Sequence, residues 1–174
     1  MKKRFIAASL AVMILLGALV GCAAKPAEAE NAAQPETTEA AINLDLEALY
    51  NQGIAVLNEM GGNAPVLFPE TDINYLNEFY PGLADIELKQ LYAGVAPVTN
   101  APFEVVMVEA ANKADVQKVL EIYHARADRE SDDTSYPENA RAWLNNCKIT
   151  SRGCYVFLAV LMDPCVVPAE FILD

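Results

Sequence analysis

Apolar side chains return at helical spacing through residues 46–60, at Leu46, Leu49, Tyr50, Leu57 and Met60, with Gly53 on the same stripe. Asp45 and Glu47 supply an acidic first turn and Gly61-Gly62 ends the pattern, so an amphipathic helix is predicted here. A shorter helix follows through Ile73, Leu76 and Phe79, capped by Thr71 or Asp72 and stopped by Pro81-Gly82. The pattern then changes. Residues 87–95 mix Leu88, Leu91, Tyr92 and Val95 in a weakly ordered strand, and 103–109 read Phe-Glu-Val-Val-Met-Val-Glu, a strong one. Helical spacing resumes at Val116, Val119, Leu120, Tyr123 and Ala127, predicting a helix over 113–129. A polar loop over 128–137 leads to a short helix over 138–145 that should turn Trp143 and Leu144 inward.

Residues 154–162, Cys-Tyr-Val-Phe-Leu-Ala-Val-Leu-Met, form an unbroken apolar run that needs cover on both faces or a central place in a sheet. It is expected to be the innermost strand, paired with a preceding strand across a hairpin at 148–153. Paired strands on either side of a helix favour the α+β class, with an antiparallel sheet of about four strands and helices packed on one side. No internal repeat or heptad is visible.

Before residue 42 the pattern is of another kind. Lys2-Lys3-Arg4 precede an uncharged apolar run over 5–20 that ends in Leu19-Val20-Gly21-Cys22. A basic start, a greasy middle and small residues before a cysteine resemble a bacterial lipoprotein signal. That resemblance implies cleavage of residues 1–21, acylation of the Cys22 thiol and two or three chains holding the protein to a membrane. The alternative is an uncleaved anchor, since 5–24 is about 20 residues, just long enough to cross a bilayer core. Residues 23–41 carry no large apolar side chain and read as a disordered tether with a reach of roughly 25 Å. Residues 42–174 then make one domain.

The chain has a formal net charge of -12, which disfavours nucleic acid and anionic lipid surfaces and permits cationic partners. Besides Cys22 it has Cys147, Cys154 and Cys165. A cross-strand disulfide between Cys147 and Cys154 is geometrically available if the hairpin loop takes four residues. A three-residue loop would instead set Thr150 opposite Cys154. With His124 the only histidine and no close cysteine pair, no zinc site and no other metal or cofactor is expected.

Residues 96–160 resemble a family of bacterial lipoproteins catalogued as domain of unknown function 4358. The likeness lies in the strand 103–108, the helix through Val116, Val119, Ile122 and Arg126, the Tyr136-Pro137-Glu138 segment and the turn into Gly153-Cys154-Tyr155-Val156. Here the helix turns acidic after Arg129, and Cys154 stands where the family usually has Asn or Asp. The resemblance implies no activity, cofactor or catalytic residue.

Candidate chemistry is sparse. Histidine is a common general base, but His124 has no partner in a triad, and Cys154 opens an apolar strand, a poor setting for a thiol nucleophile. Asp128, Glu130, Asp132 and Asp133 alternate like the start of a calcium loop, yet Asp133 holds the position that needs glycine and Asn139 the one that needs glutamate. Glu104 and Glu109 are separated by an odd number of strand residues and fall on opposite faces. Phosphate loops, nucleophile elbows and zinc-protease motifs are absent. The expected function is a lipid-anchored, non-enzymatic module at the outer face of the cytoplasmic membrane, contacting an envelope protein or small ligand. The alternatives are an envelope hydrolase or thiol enzyme using Cys154 or His124, and a structural envelope protein.

Overall fold

The computed structural model describes residues 42–60, 66–96 and 102–174. Residues 1–41, where the lipoprotein signal and the tether are expected, lie outside them. The described elements are α1 (Leu46–Glu59), β1 (Phe68–Glu70), α2 (Ile73–Phe79), β2 (Leu88–Val95), β3 (Glu104–Ala110), α3 (Val116–Ser131), α4 (Pro137–Asn146), β4 (Lys148–Arg152) and β5 (Tyr155–Val160). The strands form one antiparallel sheet in the order β1-β2-β3-β5-β4.

The apolar strands decide the layering. Successive strand residues point to opposite faces, so Val105 and Met107 of β3 join Tyr155, Phe157 and Ala159 of β5 on one side. Val106 and Val108 join Val156, Leu158 and Val160 on the other. All are buried, and each set needs its own cover. Leu46, Tyr50 and Leu57 of α1, with Phe171 from a 3-10 turn over Ala169–Phe171, cover the first face. Leu76 and Tyr80 from α2 and the residue after it, Val119 and Tyr123 of α3 and Trp143 of α4 cover the second.

The fold is α+β with five strands, one more than expected, and its helices lie on both faces rather than one. The centre of the sheet belongs to β3, not to the 154–162 run, which becomes β5 beside it. The extra strand, β1, is three residues long and contains Pro69, so it carries no alternation to read.

Local chemistry sets the element ends. The Asp45 carboxylate accepts from Ala48 N at 3.0 Å to cap α1, and Asp72 accepts from Asn74 N at 2.9 Å to cap α2. Gly82, at φ 94°, takes the left-handed turn that leads away from α2. The α4 helix buries Trp143, while Leu144 is 72% exposed, contrary to expectation. One step of about 100° around the axis carries Leu144 off the inward stripe.

The β4–β5 hairpin closes with Arg152 opposite Tyr155, leaving Gly153 (φ 62°) and Cys154 as a two-residue turn. Cys147 precedes the Lys148–Ala159 pair at the far end of the ladder. Five strand steps, about 16 Å, separate it from the turn. That exceeds the Cα separation of about 7 Å that a disulfide tolerates, so the Cys147–Cys154 bridge is not formed.

Candidate functional site

The face covered by α2, α3 and α4 holds charge in its core. Glu104, the first residue of β3, projects to this face, and Arg126 lies on the buried stripe of α3 below Val119 and Tyr123. Arg126 Nη2 donates to Glu104 Oε2 at 2.8 Å, with only 9% and 8% of the two side chains exposed. Its Nη1 donates to Glu130 Oε1, one turn further along α3, and Tyr80 Oη donates to the second Glu104 oxygen at 3.3 Å.

Three rings surround the guanidinium, with centroids 5.5 Å (Phe79), 5.7 Å (Tyr80) and 5.2 Å (Trp143) from its central carbon. The planar cation can meet two carboxylates at its edges and stack aromatics on its faces, which a lysine ammonium could not do. Burial raises the Glu104 carboxyl above its ordinary value, an effect that Arg126 and Tyr80 partly offset. Burial likewise lifts the Tyr80 and Tyr123 hydroxyls well above the usual phenol range. This cluster is therefore a clamp of matched charges. It ties β3 to α3 and packs the end of α2 and α4 around one side chain.

Above the clamp lies a groove of ≈ 470 Å³ between the turn after α2 and the outer side of α3. Pro81, Gly82, Asp85 and Ile86 form one wall, and Lys118, Glu121, Ile122, Ala125, Arg126 and Arg129 form the other. Arg129 Nη2 donates to the Phe79 carbonyl at 2.7 Å, pinning the lower end of α3 to α2. Lys118 Nζ meets Asp115 at 2.6 Å. The volume lies within the range of small-ligand sites, about 300–1,000 Å³.

The residues singled out from sequence are not gathered here. Leu19, Val20, Gly21 and Cys22 lie outside the described residues. His124 is on the exposed side of α3 and Cys154 is in the hairpin turn. Cys147 is packed against the clamp-side core, where burial above all pushes its thiol up to about 12. The α3 helix continues to Ser131, so Asp128 and Glu130 are helical and the calcium-loop spacing does not exist as a loop; Glu130 is tied to Arg126 and Arg129. Among the described residues no group of three or more His, Cys, Asp or Glu could hold a metal ion.

Glu109 does fall on the face opposite Glu104, where it accepts from Gln90 at 2.8 Å and pairs with Lys89. Reading the sequence for catalytic motifs passed over Arg126. Its signal was a cation in register with Val119 and Tyr123, four residues before Glu130.

A family model described as Domain of unknown function (DUF4358) matches residues 70–161, more than half of the chain. The chain belongs to this family. The DUF4358 span runs from the last residue of β1 to just past β5, so it contains both the clamp and the groove. It omits α1 and the C-terminal segment. No curated protein and no solved structure matches the chain. Among the described residues no helix is long and apolar enough to cross a membrane.

Proposed function

We propose that this DUF4358 protein is a bacterial lipoprotein, anchored through Cys22 at the outer face of the cytoplasmic membrane, whose domain binds a ligand or partner without catalysing a reaction. The observation that carries this reading is Leu19-Val20-Gly21-Cys22 at the end of an uncharged apolar run with a basic start. Covalent acyl chains give stable anchoring without a spanning helix. The polar segment 23–41 supplies distance between anchor and domain. The groove beside α3 supports the binding half of the reading, since it is concave, is lined in part by the apolar Pro81, Ile86, Ile122 and Ala125, and shares Arg126 with the clamp.

Metabolic labelling with a clickable fatty acid in a bacterial host tests the anchor. The parent chain should take up label and fractionate with membranes. Cys22→Ser should lose the label. Equal labelling of the variant would refute the reading.

A further inference from the structure

We infer that residues 36–41, Glu-Thr-Thr-Glu-Ala-Ala, lie as a further strand along the open edge of β4, with Glu36 and Glu39 answering Lys148 and Arg152. The inference goes beyond the anchored-module reading and does not depend on acylation of Cys22.

The course of the described chain leads to that edge. Leu46 N donates to Gln90 Oε1 on β2 at 3.2 Å, and Leu44 N donates to Tyr155 Oη on β5 at 3.0 Å. Ile42 Cδ1 lies 4.0 Å from where a Cβ on Gly153 would stand, in the turn between β4 and β5. Traced backwards, residues 46 to 42 thus cross the sheet from β2 towards its β4 side. The residues before them arrive at the turn end of β4.

Strand β4 ends the sheet, so its outer backbone groups have no strand to pair with. Lys148, Thr150 and Arg152 stand opposite Ala159, Phe157 and Tyr155 and therefore project to the α1 face, on which Ile42 and Leu44 also pack. Lys148 and Arg152 are exposed and about 13 Å apart along the strand, and among the described residues neither meets a carboxylate. The C-terminal segment touches this face where Leu173 N donates to Thr150 Oγ1, but it forms no strand with β4.

Two unanswered cations on one strand edge, in a chain of net charge -12, favour an acidic occupant. A second copy of β4 is the wrong one. Paired antiparallel about Thr150, it would set Lys148 against Arg152, and like charges directly opposite are destabilising. Residues 36–41 fit. Extended, they span about 20 Å, against about 16 Å for Lys148–Arg152. Glu39 and Glu36 lie three and six residues before Ile42, Thr37 and Thr38 suit a strand, and Pro35, lacking an N–H, ends it. Exposed ion pairs are individually weak, and covalent linkage to Ile42 supplies the local concentration that makes two of them sufficient. The occupied edge is closed to other chains, and the free part of the tether starts at the Lys148 end of β4 instead of at the turn.

Backbone relaxation of the full chain, perdeuterated and ¹⁵N-labelled in nonionic detergent, tests the inference. Amide order parameters at 36–41 should approach the value of about 0.85 typical of rigid backbone, well above those at 24–34, and should fall as salt is added. K148E/R152E, altered only at exposed positions, should drop them below about 0.6 while β4 and β5 keep theirs. Adding E36K/E39K to that variant should restore them. Order at 36–41 no higher than at 24–34 in the parent, order undiminished in K148E/R152E, or order not restored by the charge swap would overturn the inference. So would order that fades on dilution of about tenfold, which assigns the edge to a second copy. None of these results bears on fatty-acid labelling of Cys22, so the two readings fail separately.

Discussion

The two faces of the sheet are held by different physics. On the α2–α3–α4 face, within the DUF4358 span, a buried arginine meets two carboxylates and three rings, and the contact is directional. On the α1 face, covered by elements outside that span, the contact is close apolar approach with polar stitches at its rim. Gln90 donates to the Leu44 carbonyl at 2.8 Å and accepts from Leu46 N at 3.2 Å. Tyr155 Oη accepts from Leu44 N and Thr150 Oγ1 from Leu173 N, both at 3.0 Å. The family's shared stretch thus carries the face with shaped chemistry, and the flanking elements carry the cover.

That contrast implies that residues 70–161 are not a self-sufficient folding unit. Without α1 and the 169–171 turn, Val105, Met107, Tyr155, Phe157 and Ala159 would face water over a whole side of the sheet. At about 25 cal/mol per Å² of apolar surface, losing that burial exceeds the marginal stability of a domain this size. A chain spanning residues 66–161 should therefore lack the near-ultraviolet circular dichroism and dispersed amide spectrum of the parent. A native-like spectrum from it would show that the clamp face alone suffices.

The next largest effect concerns the clamp. Arg126→Met strands Glu104 in the core and should cost about 3–5 kcal/mol in urea unfolding at neutral pH. Replacing both partners, as in E104M/R126M, should recover most of that loss, because no buried charge is then left unpaired. The pH dependence identifies the cause. Burial holds the Glu104 carboxyl above its unfolded value, so between the two values the folded protein keeps a proton that the unfolded chain has released. Stability from this group accordingly rises as pH falls through that window. Removing Arg126 deletes the main opposing influence and extends the window upward, so the deficit of R126M should shrink from pH 8 to pH 5. A deficit independent of pH would assign the loss to packing rather than to charge.

The sequence made much of this visible, for reasons that differ by region. Helix α1 and strand β3 were legible because each buries a regular stripe, at period 3.6 and on both sides of a strand respectively. The hairpin was legible but its loop length was not, and one residue of loop decides whether Cys154 sits in the turn or on the strand. Two-sided helix cover follows from the apolar residues at every position of β5, yet a strand alone does not say which helix lies on which side. The clamp was hidden because Arg126 and Glu104 are 22 residues apart and only the pairing of α3 over β3 brings them together. The groove was hidden for the same reason.

On the α1 face the smallest of these effects should appear at Gly53. A Cβ built there would fall 2.3 Å from Cζ of Phe171, a ring that is itself fully buried and cannot swing aside. Gly94 makes the same accommodation for the Tyr50 ring, at 2.5 Å, so one close approach seats the C-terminal turn against α1 and the other seats α1 on β2. Overpacking of this kind costs about 1–3 kcal/mol, and Ala in place of Gly inside a helix returns about 1 kcal/mol. Gly53→Ala should therefore destabilise by about 0–2 kcal/mol in urea unfolding, less than the clamp variant, and Phe171→Leu in the same chain should relieve part of the added strain. Were G53A instead more stable than the parent, helix propensity would have outweighed contact. The α1 face would then be looser than its buried rings indicate, and the contrast between a directional face and a closely packed one would fail on its apolar side.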